Sequence, residues 1–163
     1  MIIILFRPKD FDKISQTNIE SLISNKIEES IHLDYKETLG SNKEIAKDIS
    51  SFANTDAGNI IYGIEEKDNK PTKIVPINNS ILREKLDLIV KDGIDPPLNI
   101  RILPLDVISE GKNGQIFIVY IPKKYPRIHQ AKGYKRYYKR TEFTSSPMSN
   151  SEIELAFRLL NIT

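Results

Sequence analysis

Ser51-Phe52-Ala53-Asn54-Thr55-Asp56-Ala57-Gly58-Asn59-Ile60-Ile61-Tyr62-Gly63-Ile64-Glu65-Glu66 passes from a helix, through a turn, into a buried strand. The helix begins upstream, where Ser41 with Glu44 has the spacing of a capping box and Ile45, Ile49, Phe52 and Ala53 recur at helical intervals. Asn54 to Gly58 supplies polar turn residues and a glycine that stop it. Residues 59–64 form a short apolar run, the pattern of a buried strand, which delivers Glu65 and Glu66 to its exposed end.

Before that helix, residues 30–37 alternate, with Ile31, Leu33 and Tyr35 on one side and His32, Asp34 and Lys36 on the other, as a half-buried strand requires. Strand, amphipathic helix and strand together make a crossover unit whose strands can pair in parallel. Thr17 with Glu20, and Ile19, Leu22, Ile23 and Ile27, predict a first helix over about residues 18–28. The run Ile2-Ile3-Ile4-Leu5-Phe6 is too short to span a bilayer and reads as a buried first strand or a docking segment.

Downstream, Asp68-Asn69-Lys70-Pro71 is turn chemistry. Ile81, Leu82, Leu86, Ile89 and Val90 mark a third helix ending at Gly93 and Pro96-Pro97. Residues 98–107 and 115–121 read as strands joined through Gly111-Lys112-Asn113-Gly114, and residues 127–130 and 134–140 as a basic hairpin around Ala131-Lys132-Gly133. A last helix starts near Ser151, with Ile153, Phe157 and Leu160 on one side. The expected fold class is α+β, a mixed sheet with flanking helices in one domain over residues 1–163 and a core over about residues 18–160.

Length and composition agree. At 163 residues, 39% hydrophobic and 28% charged, the chain has the make-up of one soluble globular domain and of neither a disordered nor a membrane protein. Zero cysteines exclude disulfides, thiolate catalysis and the usual zinc sites, and fit a cytoplasmic location. His32 and His129 are the only histidines, which argues against a histidine-dominated metal site, and neither has an orienting partner identifiable in sequence.

Two groups of residues can carry chemistry. Glu29, Asp34 and Glu66 lie at strand ends that a parallel pairing would bring to one edge. Three carboxylates at one point require a cation, and oxygen ligands of this kind suit Mg²⁺ or Mn²⁺, which can activate water for phosphodiester cleavage. The alternative is solvated surface charge, since 22 acidic residues produce such triples often. The second group is basic: eight Lys or Arg and no Asp or Glu lie between Lys123 and Arg140, interleaved with Tyr125, Tyr134, Tyr137 and Tyr138. Cations beside aromatic faces suit nucleic acid, the alternative being an edge strand guarded by lysines. The candidate contacts are Lys36, Arg127, Lys132, Lys135, Arg136, Tyr137, Lys139 and Arg140. The Asn54 to Gly58 turn lacks the glycine spacing and Lys-Ser/Thr of a P-loop, and it enters a strand where a phosphate cradle would open a helix.

Glu29-Ser30-Ile31-His32-Leu33-Asp34-Tyr35-Lys36, residues 45–49, the opening stretch, and Tyr137-Tyr138-Lys139-Arg140 followed by Pro147-Met148-Ser149 together resemble the Schlafen AlbA-like domain family. That family is labelled DNA-binding or divergent ATP-binding. In its endoribonuclease members, which act on structured RNA such as tRNA, three acids form a metal-dependent site, and by motif position these fall on Glu29, Asp34 and Glu66. Asp34 and Glu66 each exchange the carboxylate length of those nucleases, and the zinc element of the larger animal proteins is absent. Those proteins pair two lobes around a groove, so the resemblance implies one lobe here and a homodimer to rebuild the groove. It implies, as alternatives to cleavage, a non-catalytic DNA-binding regulator or an ATP-binding protein.

Overall fold

β1 (Leu33–Lys36) and β2 (Gly58–Tyr62) pair in parallel, Leu33 opposite Asn59 through Lys36 opposite Tyr62, and α2 (Asn42–Ala53) crosses between them in this computed structural model, which describes residues 6–78 and 82–162. Ser41 caps α2, its hydroxyl accepting from the Glu44 N–H at 3.2 Å. At the far end Gly58 lies so close to the chain that a Cβ would sit 2.6 Å from the Phe52 ring and 2.7 Å from the His32 carbonyl oxygen. Glycine there lets the chain turn back under the helix it has just left.

The sheet is completed by the antiparallel hairpin of β6 (Arg101–Ser109) and β7 (Lys112–Ile121), giving the order β1-β2-β7-β6. This hairpin turns at Glu110 and Gly111, both at positive φ, rather than through the longer connection expected from the glycines at 111 and 114. On one face of the sheet Ile60, Tyr62, Phe117 and Val119 pack against α2 and α3 (Leu82–Gly93); on the other Leu33, Tyr35, Ile61 and Ile118 pack against α1 (Gln16–Ser24). A central strand buried on both faces explains why residues 59–64 read as continuously apolar.

That apolar run is in fact two strands. Gly63, at φ 105°, breaks it, and β3 (Ile64–Lys67) then forms a hairpin with β4 (Lys70–Ile74) through Asp68 and Asn69, both left-handed. A second four-stranded sheet has the order β10-β9-β8-β5, from β5 (Ile94–Asp95), β8 (Gln130–Ala131), β9 (Arg136–Arg140) and β10 (Ser145–Pro147). The chain closes with α4 (Asn150–Ile162), in which Ala156 alone is buried. The first helix is shorter and earlier than the expected 18–28, because Asn25 and Lys26 already form its closing turn. Ile2 to Leu5 and Ile81 lie outside the described residues. No helix among the described residues is long and apolar enough to cross a membrane.

Candidate functional site

The parallel β1–β2 pair puts Asp34 and Lys36 on the α2 side of the sheet, since Leu33 and Tyr35 fill the opposite core. Asp34 is 2% exposed, so this face is a buried polar interior and not the solvent-facing side that simple alternation suggested. Glu29, just before the strand, is also buried; its carboxylate accepts from the Tyr35 N–H at 2.9 Å and lies within the electrostatic reach of Asp34 and Glu66. Burial above all, with Asp34 and then Glu66 beside it, pushes the Glu29 carboxyl up to about 8, and the Tyr35 N–H pulls it partly back.

Two cations lie beside these carboxylates. Lys36 Nζ stands 3.1 Å from Asp34 Oδ2 and 3.8 Å from Asp48 Oδ2. Burial would lower the Lys36 pKa, but the two carboxylates outweigh it and raise it, keeping the ammonium charged. Arg140, at the end of β9, donates from Nε and Nη2 to the Ser30 carbonyl at 3.2 Å each and from Nη2 to the Leu33 carbonyl at 3.1 Å. Its Nη1 is 3.7 Å from Asp34 Oδ2 and its guanidinium lies over the Phe52 ring at 4.8 Å.

Asp48 and Tyr62 complete the cluster, and the motif reading missed both. Asp48 accepts from the Ser145 hydroxyl at 3.1 Å, and burial raises its pKa. The Tyr62 hydroxyl is fully buried without a hydrogen-bond partner, in the field of Asp48 and Asp34. A signal for Asp48 existed in the sequence: positions 45, 48, 49 and 52 form one helical arc, and Asp48 places a carboxylate within it.

Glu66 stands apart from this pair in its bonding. It lies on the β3–β4 hairpin, where its carboxylate accepts from the Asn69 N–H at 3.0 Å; the same turn reaches the cluster because the Asn69 carbonyl accepts from the Glu29 N–H at 2.8 Å. Among the described residues no group of three or more His, Cys, Asp or Glu side chains is placed to hold a metal ion. Lys36 and Arg140 stand at Asp34, where a divalent ion shared by Glu29, Asp34 and Glu66 would have to displace their positive charge.

The basic segment divides in two. Along β9 side chains alternate as expected, but both faces are covered. Tyr138 and Arg140 are buried toward α2, while Tyr137 meets Phe157 edge to face and Lys139 pairs with Glu152 of α4 at 2.7 Å. Arg140 is therefore a buried anchor, a correction to its expected place on the contact surface. The exposed remainder is Lys124, Arg127, Lys132, Lys135 and Arg136, and among the described residues none of these has a carboxylate partner; Lys123 pairs with Asp56 at 3.5 Å. The phenylalanine-alanine-asparagine-threonine run holds this segment in place. The Asn54 amide donates to the carbonyls of His129 at 3.0 Å and Tyr138 at 2.8 Å and accepts from the His129 N–H at 2.7 Å, while Thr55 Oγ1 accepts from the Arg140 N–H. His32 and His129 are both buried, which lowers their pKa values, and their ring contacts are with Asp56 and the Pro96 carbonyl.

Residues 29–149 match the family model described as Schlafen, AlbA_2. No curated protein matches the sequence. Among solved structures, the crystal structure of the DIP2311 protein from Corynebacterium diphtheriae is similar, with a TM-score of 0.55 and 16% identity over 87% of this chain, a likeness of fold. The chain spans 31% of the length of that protein.

Proposed function

The chain belongs to the Schlafen, AlbA_2 family, and from that premise we propose that it is a nucleic-acid-binding domain whose contact surface is the exposed basic turn between β8 and β9 and the adjoining Lys124–Arg127 segment. The observation that carries this reading is the set of five exposed cations without carboxylate partners, held at one place by Asn54 and Thr55. Unpaired lysines and arginines on a rigid platform are what phosphate neutralisation needs. Lys135 and Arg136, exposed and without a carboxylate partner, suit contact with the phosphate backbone.

Endoribonuclease action on structured RNA such as tRNA is the second reading, favoured by the buried Glu29 and Asp34 carboxylates beside Lys36. A Mg²⁺ or Mn²⁺ ion on Glu29, Asp34 and Glu66 would have to displace the Lys36 ammonium from Asp34 and release Glu66 from the Asn69 amide. A homodimer is a further part of the proposal: Leu155, Leu159 and Ile162 form an exposed stripe on α4 that a second copy would cover. The setting proposed is the cytoplasm, whose reducing conditions suit a fold that uses no disulfide.

The test is to incubate the protein with tRNA and with duplex DNA, in Mn²⁺ or in chelator, and to score retention and fragments separately. Retention of either probe without fragments supports the binding domain and removes the nuclease. Fragments in Mn²⁺ that vanish with chelator and with Glu29→Gln support the nuclease. No retention at low salt removes the function altogether. Light scattering decides the dimer.

A further inference from the structure

On the opposite side of α2 from the acid cluster lies a groove of about 440 Å³ between α2, α3 and the β8–β9 turn. Its floor is Ala46, Leu88 and Ile89, and its rim carries Lys43, Lys85 and Lys132 against a single carboxylate, Asp92. Leu88 is 57% exposed, an apolar side chain left uncovered on α3 next to Lys85. None of the three lysines has an ion-pair partner among the described residues; Lys43 Nζ lies over the Tyr134 ring at 5.7 Å, and Lys132 and Lys85 extend into solvent. The arrangement is built, because a Cβ on Gly133 would sit 2.6 Å from Lys43 Cγ: the turn is pressed onto the Lys43 stem, and this close approach brings Lys132 to the groove.

The geometry points to this groove as the seat of one unstacked nucleotide of a single strand that continues from the basic turn. The inference rests on the nucleic-acid reading of that turn and extends it. Lys132 belongs to both surfaces, so a strand whose phosphates lie on Lys135 and Arg136 reaches the groove without leaving positive charge. Rim lysines answer the phosphate, and the exposed Leu88 side chain offers an apolar surface for an unstacked base that a duplex would keep stacked. The volume is within the range of a small-ligand site, too narrow for a duplex to enter. A free charged patch without that floor would bind duplex and single strand alike.

The experiment uses fluorescence anisotropy with oligouridylate probes of about 4 and about 16 nucleotides, bracketing the usual site size, and a duplex of the longer length. Leu88→Ala should weaken the long single strand about tenfold and leave its salt slope unchanged, as expected for a lost base contact. Lys85→Gln should weaken it less and lower the slope by about one. Neither variant should alter binding of the duplex or the short strand. Both positions are exposed, so thermal melting should coincide with wild type and exclude misfolding. Wild-type affinity of both variants for the long strand, with Arg136→Glu still weakening it, overturns the groove and spares the turn. Equal loss on all three probes also overturns the groove, because it marks a general field effect. Failure of the wild type to bind any probe removes the reading on which the inference rests.

Discussion

Arg136 and Arg140 open and close the same strand, four residues apart, on the same side of its alternation, and they have opposite fates. Arg136 is exposed without a carboxylate partner. Arg140 is 4% exposed and engaged by two carbonyls, a carboxylate and an aromatic ring. A cation run in sequence therefore reports charge but not availability. Availability is set by what packs against each face, and here α2 covers the inner face toward the end of β9 while α4 takes Tyr137 and Lys139. One end of the strand holds the fold together, and the other is left for a partner.

The sharpest way to break this contrast is to remove Arg140. Arg140→Met leaves the Ser30 and Leu33 carbonyls and Asp34 without their donor, and urea denaturation should show a loss of about 3–5 kcal/mol. Arg136→Met should stay within about 0.5 kcal/mol of wild type. Equal effects would dissolve the distinction. Next in size is Asn54→Ala, which leaves the buried His129 N–H and two carbonyls unpaired and should cost about 3 kcal/mol while loosening the basic turn. Its proteolytic sensitivity should rise within residues 124–136 first.

The acid cluster gives a pH-dependent form of the same contrast. The Glu29 carboxyl is raised to about 8 in the fold from 4.5. The folded state thus binds a proton that the unfolded chain releases between those values. Its contribution is present below about 4.5 and is lost as pH rises through about 8, so stability should decline over that window. Glu29→Gln, which removes the titrating group and keeps an oxygen to accept from the Tyr35 N–H, should flatten the decline in thermal melting. An unchanged slope would mean that Glu29 is ionised in the fold. The smallest expected effect is at Lys139, whose pair with Glu152 is half exposed: Lys139→Ala should cost under about 0.5 kcal/mol.

Particular residues show what was legible in the sequence. The β1–α2–β2 unit was, because the Ser41 cap, the Asn54 to Gly58 stop and the apolar run are local signals that tertiary packing reinforces. Of the β3–β4 hairpin the turn at Asp68 and Asn69 was legible, but the break before it was not, since a glycine at positive φ leaves no mark in a hydrophobic run and Ile64 looks like its continuation. Glu29 and Asp34 were legible as a pair, being close in sequence. The bonding of Glu66 depends on a hairpin turn, and the burial of Arg140 depends on a helix-facing crevice formed by residues over a hundred positions away, which no local pattern encodes. Membership of the family was readable from the motif, and the structure adds what the motif does: Asn54 and Thr55 are the clamp that positions the basic segment.

The most direct test of the central claim is the salt dependence of RNA and DNA affinity for the double variant Lys135→Glu/Arg136→Glu beside wild type. Affinity should fall about tenfold or more, the log–log salt slope should drop by about two, and the melting temperature should be unchanged. Wild-type affinity and slope in a folded double variant would contradict that claim.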